Sequence, residues 1–190
     1  MKVFITGGCK NGKSTYAEEI ALSLKKPATP CFYVATMQPM DDEDRKRIAR
    51  HQASRKGLGF ETIEWQLDID KLADCYDSDG VFLLDSTTAL LANEMFTFDG
   101  IYEMQLSAPE KVAADVTKLI NSVNDVVIVS DYIYGDAVFF AADTEAYRKG
   151  LSLVDRACAN VSDVVIEVCY GNLLVFKGEE FMEEIYEALS

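Results

Sequence analysis

Short apolar runs alternate with longer stretches of helical period along this chain. Residues 2–6 (KVFIT), 31–36 (CFYVAT), 81–86 (VFLLDS), 126–131 (VVIVSD) and 163–169 (DVVIEVC) are rich in Val, Ile and Phe. Near-continuous apolarity over so few residues predicts strands covered on both faces. A further run, 173–176 (LLVF), follows the Gly171-Asn172 turn and predicts a short antiparallel edge strand. Between the runs, the spacing predicts helices over 13–25, 41–55, 68–76, 87–96, 108–124, 143–161 and 178–189. Strand–helix alternation of this kind implies an α/β domain, a mostly parallel sheet with helices on both faces. The least regular segment, 97–107 (TFDGIYEMQLS), predicts a surface loop. There are no repeats and no linker, so residues 1–190 are expected to form one domain.

Composition narrows the function classes. With 49% hydrophobic and 26% charged residues, the balance is that of an ordinary globular domain. No run reaches the ~18 apolar residues of a membrane span. The opening MKVFIT leads directly into glycines and reads as a strand, not a signal peptide. The formal charge of -14 argues against nucleic acid as a partner, because a polyphosphate backbone repels such a surface. A small phosphate ligand in a locally positive pocket remains compatible with it. Cys9, Cys31, Cys75, Cys158 and Cys169 show no C-x-x-C spacing, and His51 is the only histidine. No zinc site is expected, and a reduced, cytoplasmic setting is the simplest reading.

Gly7-Gly8-Cys9-Lys10-Asn11-Gly12-Lys13-Ser14 fits the phosphate-loop pattern G-x-x-x-x-G-K-[ST]. An apolar strand precedes it and a helical pattern follows, which is the context the motif requires. Glycines let backbone N–H groups curl around phosphate oxygens, and the helix N-terminus adds its positive end. Lys13 is expected on the β- and γ-phosphates and Ser14 on Mg²⁺, with Thr15 completing the nucleotide-binding stretch. A second metal acid is needed. Asp85 and Asp131 both stand at the carboxyl end of a predicted strand, where ligands gather in open α/β sheets. Asp85, followed by Thr87 and Thr88, is the expected metal ligand; a helix N-cap is the competing role for either aspartate.

Segment 41–56 (DDEDRKRIARHQASRK) carries six of the 18 basic residues, Arg45, Lys46, Arg47, Arg50, Arg55 and Lys56, around His51. Residues four apart share a helix face, so Arg47, His51 and Arg55 are predicted to stack along one side. Two flanking arginines disfavour the imidazolium, and a neutral imidazole is what a nucleophile requires. The same arginines would attract phosphates and stabilise charge in phosphoryl transfer. On its position alone, a helix this polar reads first as a solvated helix with a surface histidine.

Several stretches together resemble the bifunctional adenosylcobinamide kinase/adenosylcobinamide-phosphate guanylyltransferase family of cobalamin biosynthesis, the CobU/CobP type. TGGCKNGKS with Ala17-Glu18 is similar to T-G-G-x-x-S-G-K-S-x-x-A-E. YVATMQPMDDEDRKRIARH follows Y-I-A-T-x-x-x-x-D-x-E-M-x-x-R-I-x-x-H without a gap. Arg55, Thr62 and Glu64 fit R-P…W-x-T-x-E, with Phe60 in place of the Trp, and Asp85, Thr88 and Asn93 fit D-C-L-T-x-W-x-x-N. Two later segments depart. N-E-V-G-x-G-I-V-P becomes SDYIYGDAVFF, with Asp131 for Asn and Tyr132 for Glu. F-R-D-x-x-G-x-x-N-Q becomes YRKGLSLVDR, with Asp155 and Arg156 at its end.

The resemblance implies a P-loop (RecA-like) fold, a homo-oligomer, GTP or ATP as substrate with Mg²⁺, and the corrinoid adenosylcobinamide as acceptor. It implies that His51 becomes guanylylated, that Lys13 and Asp85 are catalytic in the kinase step, and that Arg47, Arg55 and Glu64 serve the nucleotide. Two alternatives remain at this stage. One is a P-loop phosphotransferase with another acceptor fitted into 131–156; the other is a nucleotide-binding regulatory protein without turnover.

Overall fold

The computed structural model describes residues 1–39, 41–98 and 102–188. Strands β1 (Lys2–Gly7), β2 (Cys31–Ala35), β3 (Glu61–Glu64), β4 (Val81–Asp85), β7 (Asp125–Val129), β8 (Val164–Cys169) and β9 (Asn172–Lys177) form one sheet in the order β3-β2-β4-β7-β1-β8-β9. All its ladders are parallel except β8–β9, the antiparallel edge the sequence predicts. Tyr170 and Gly171, with φ of 50° and 75°, make the tight turn between those two strands.

Alternation along the buried strands feeds two separate cores. Val3, Ile5, Tyr33, Leu83, Val127 and Val129 point to the face covered by α1 (Lys13–Leu24) and α7 (Met182–Ala188). Phe4, Phe32, Val34, Phe82, Leu84 and Ile128 point to the other. There α3 (Leu72–Cys75), α4 (Thr87–Met95), α5 (Ala108–Ser122) and α6 (Ala142–Val161) pack. Glycine at position 150 lets α6 press on the start of α5: a Cβ there would lie 2.6 Å from Cγ of Pro109. The remaining helix, α2 (Asp42–Arg55), begins at Asp41, whose side chain accepts from the Asp44 N–H at 2.8 Å. Its first turn is acidic and its last carries Arg55, as the helix dipole favours.

Three predicted segments are corrected. The 68–76 helix is a 3₁₀ turn (Ile69–Lys71) leading into α3, and 178–189 is a 3₁₀ turn (Glu179–Phe181) leading into α7; residue 189 lies outside the described residues. The loop predicted at 97–107 contains a small antiparallel pair, β5 (Phe96–Phe98) with β6 (Tyr102–Met104). Strands of three residues are too short to declare a period. Strand β3 was absent from the apolar pattern because Ile63 is its one buried residue.

The topology places the site. α1 carries the chain from β1 to β2 on one side, whereas α6 carries it from β7 to β8 on the other. A crevice therefore opens at the carboxyl ends of the central strands, where the direction of winding switches. Gly7, Asp85 and the residues just after β7 all meet there. Among the described residues, no helix is long and apolar enough to cross a membrane.

Candidate functional site

Gly12 caps α1 with φ of 93° and has no side chain with which to cap the helix N–H groups. Uncapped N–H groups at a helix start are an anion site in waiting. The loop before it is braced from both ends. Nδ2 of Asn11 donates to the Val168 carbonyl, and Oδ1 of Asn11 accepts from the Lys13 N–H at 3.3 Å. Gly7 has φ of 152°, and a Cβ there would lie 2.6 Å from the Val168 carbonyl oxygen, so no larger residue fits. Lys13 is buried, and its ammonium donates to the Gly8 carbonyl at 2.7 Å and to Oδ1 of Asp131 at 2.6 Å. Cys9 and Lys10 are exposed on the loop, Gly12 and Thr15 are exposed at the helix start, and Ser14 is half-buried beside them.

Asp85 reaches the same crevice. Tyr33 on β2 pairs with Leu83 on β4, and Asp85 stands two residues further along β4 on the same face. That diagonal is within the reach of an aromatic side chain. The Tyr33 hydroxyl donates to Oδ2 of Asp85, passing over Ala35, the direct neighbour of Asp85. Burial first, and then the Asp85 charge, push the Tyr33 phenol well above its ordinary pKa. Tyr33 therefore acts as a fixed donor. Glu18, one turn beyond Ser14, is also raised, by burial first and by the Asp85 charge; Arg55 works the other way.

Arg55 departs from the face predicted for it. His51 is exposed on α2, whereas Arg55 is 5% exposed and its guanidinium carbon sits over the Tyr33 ring, 3.4 Å from the centroid. Its NH1 is 4.0 Å from Oε1 of Glu18, close enough for attraction and too long for a hydrogen bond. Nε and NH1 are buried without a hydrogen-bond partner among the described residues. A desolvated cation–π contact contributes about 2 kcal/mol. Each unsatisfied buried donor costs ~1–3 kcal/mol. Stability alone does not account for this placement. The side chain of Arg47 lies outside the described residues. Glu64 is exposed at the end of β3 and lines a hollow of about 320 Å³ with Trp65 and Gln66. Arg55 lines a different one, of about 470 Å³, with Gln52, Lys56 and Thr62.

The segments after β7 are built around two buried charges that local sequence reading did not single out as site-forming. Arg148 donates to the carbonyls of Ile133 (3.0 Å), Val138 (2.8 Å) and Asp136 (3.0 Å) and pairs with Asp136 and Glu145, pinning residues 133–140. Asp155 accepts from Ser130 (2.9 Å), Tyr134 (2.8 Å) and Thr87 (3.3 Å), joining the ends of β4 and β7 from behind. Burial pushes its carboxyl up to about 6, against the pull of those three donors. In the sequence Asp155 is marked by its departure from the pattern F-R-D-x-x-G-x-x-N-Q, whereas Arg148 keeps that pattern's Arg.

A strand, a glycine loop with a buried lysine, an uncapped helix and two strand-end carboxylates define a P-loop nucleotide-binding protein of the α/β class. The sequence model of the family described as cobinamide kinase / cobinamide phosphate guanyltransferase matches residues 3–176, and the chain belongs to that family. Among curated proteins it is 33% identical over 102 residues to the bifunctional adenosylcobalamin biosynthesis protein CobU of Escherichia coli K12. It is 34% identical over 102 residues to the protein of the same name from Salmonella typhimurium LT2. Each alignment covers 53% of this chain and 53% of the relative, so the chain spans about half the length of the curated relatives it matches. Among solved structures, a KaiC-like protein of Pyrococcus horikoshii OT3 aligns with a TM-score of 0.48 at 13% identity, covering 94% of this chain and 79% of that one. The flagellar accessory protein FlaH of Methanocaldococcus jannaschii aligns with a TM-score of 0.45 at 13% identity, covering 92% and 77%.

Proposed function

We propose that the protein phosphorylates adenosylcobinamide from a nucleoside triphosphate and transfers GMP from GTP to the resulting phosphate through His51. The observation that carries this reading is the meeting of Lys13, the uncapped start of α1 and Asp85 in one crevice of a chain from this family. In the first reaction Lys13 and the loop N–H groups hold the β- and γ-phosphates in line with the acceptor hydroxyl. The hard oxygen donors of Ser14 and Asp85 suit Mg²⁺, and the Tyr33 hydroxyl occupies one Asp85 oxygen while leaving the other available. When bound, Mg²⁺ would neutralise charge on the transferring phosphoryl group. In the second reaction a ring nitrogen of neutral His51 attacks the α-phosphorus of GTP, and the bond to pyrophosphate breaks. An oxygen of the cobinamide phosphate then attacks that phosphorus, and the P–N bond breaks to release His51. Each half is one displacement with a good leaving group.

A second reading, phosphoryl transfer to a different small acceptor, draws on the rebuilt segment 131–156, where Asp131 and Asp155 replace the family's residues around a retained Arg148.

The test incubates wild type and His51→Ala with Mg²⁺ and α-labelled GTP or ATP, without acceptor. An acid-labile, base-stable label from GTP on wild type alone is the expected result. Nucleotide binding with no label would eliminate the guanylyltransferase step and leave the second reading.

A further inference from the structure

We propose that Arg55 is a positioning residue for Asp85, acting through the ring of Tyr33, and that it ties the helix carrying His51 to that carboxylate. The inference rests on the reading of Ser14 and Asp85 as Mg²⁺ ligands. Tyr33 is held on two sides. The guanidinium of Arg55 covers one face at 3.4 Å, and the Phe60 ring meets it nearly perpendicular with centroids 6.0 Å apart. Its hydroxyl ends on Asp85. Removing Arg55 frees one face of the ring, and the hydroxyl that orients Asp85 loses its fixed direction.

The same guanidinium faces Glu18, four residues beyond Ser14 on α1. One buried cation therefore touches the helix of one metal ligand and the aromatic partner of the other. It departs from α2 one turn after His51. A cation seated over a ring at 5% exposure has little to offer a phosphate arriving from solvent. Two of its donors have no hydrogen-bond partner among the described residues, which marks a group kept in place at a cost to stability, as residues serving a site are.

The experiment titrates Mg²⁺ against the complex with βγ-imido GTP in a His51→Ala background, by calorimetry, so that neither transfer proceeds. Arg55→Met, Tyr33→Phe, the double variant and Asp85→Asn are compared. Nucleotide affinity without Mg²⁺ is expected to stay within about twofold of the parent for Arg55→Met and Tyr33→Phe. The Mg²⁺ midpoint is expected to rise roughly tenfold or more in each, as for groups that orient a metal ligand. The double variant is expected to be no worse than either single one, because both act on one contact chain. Equal weakening of Mg²⁺-free nucleotide binding by Arg55→Met would overturn the proposal in favour of a direct phosphate contact. So would a parental Mg²⁺ midpoint in Tyr33→Phe, which keeps the ring and the fold. A parental Mg²⁺ response in Asp85→Asn would remove the metal reading and the proposal with it. Labelling of His51 in the otherwise unaltered chain reports separately on GMP transfer.

Discussion

The ammonium of Lys13 lies 2.6 Å from a carboxylate oxygen of Asp131, in the place where a phosphate would seek that ammonium. Lys13 is 5% exposed and the Asp131 side chain 30%, so water weakens the pair only partly. An arriving triphosphate must share the lysine with a carboxylate or displace it. Asp131→Asn keeps a polar partner for Lys13 and removes the negative charge. Nucleoside triphosphate binding is expected to tighten roughly tenfold, about 1.4 kcal/mol, with the gain shrinking at high salt. Equal or weaker binding in the variant, measured by calorimetry, would show that Asp131 assists the phosphate instead of competing with it.

Asp155 gives a pH dependence of definite sign. Its carboxyl is raised from 3.8 to about 6 by burial in the native protein. Between those values the folded chain holds a proton that the unfolded chain has released, so stability falls as pH rises through this window. Above about pH 6 the full penalty applies, on the order of 3 kcal/mol at 1.36 kcal/mol per pKa unit. Asp155→Asn removes the titrating group and keeps an oxygen for Ser130 and Tyr134, which share Oδ2. The variant is expected to match wild type near pH 4 and to exceed it by about 2–3 kcal/mol at pH 7.5 in urea unfolding. A constant difference across that range would remove Asp155 from the pH response.

How much of this was legible in the sequence depends on how local each feature is. The phosphate loop lies in eight contiguous residues between a strand and a helix, so motif and context agree. The central strands were legible because burial on both faces makes them continuously apolar. The Tyr33–Asp85 contact was not, because it depends on the register between β2 and β4. Arg55 shows the limit most plainly. Helical spacing puts it one turn after His51, but only the packed sheet shows that its side chain turns beneath α2 onto Tyr33. Arg148 and Asp155 read as ordinary helix residues until the chain after β7 folds onto them.

Arg148 makes a local prediction. The loop 133–140 has no regular structure, yet Val138 donates its N–H to Asp136 at 3.3 Å and Phe140 to Glu145 at 3.1 Å. Both carboxylates are in turn held by Arg148. Arg148→Met removes a buried cation whose carboxylate partners stay partly in water, and a loss of about 1.5–3 kcal/mol follows from the charge-assisted hydrogen bonds to the loop carbonyls that go with it. Hydrogen exchange at the Val138 and Phe140 amides is expected to accelerate far more than exchange in β1 or β7. Uniform acceleration would mean that Arg148 supports the whole fold and not this loop.

Lys111 occupies the centre of three carboxylates and can be emptied to test what they hold. Its ammonium lies 2.8 Å from Asp68, 2.7 Å from Glu94 and 2.9 Å from Asp115, bringing α4, α5 and the start of the 3₁₀ turn together. The oxygens lie within 4.8 Å of one another, a spacing that a divalent cation could also span. Lys111→Met leaves three acids facing each other with no counter-charge. A loss of about 1–2 kcal/mol is expected at low salt, limited by the solvent exposure of the cluster. Millimolar Ca²⁺ is expected to raise the melting temperature of the variant by binding the folded form, and to leave wild type unchanged, because Lys111 already fills the position. Equal Ca²⁺ responses in the two proteins, read by thermal denaturation, would show that the carboxylates do not converge in solution.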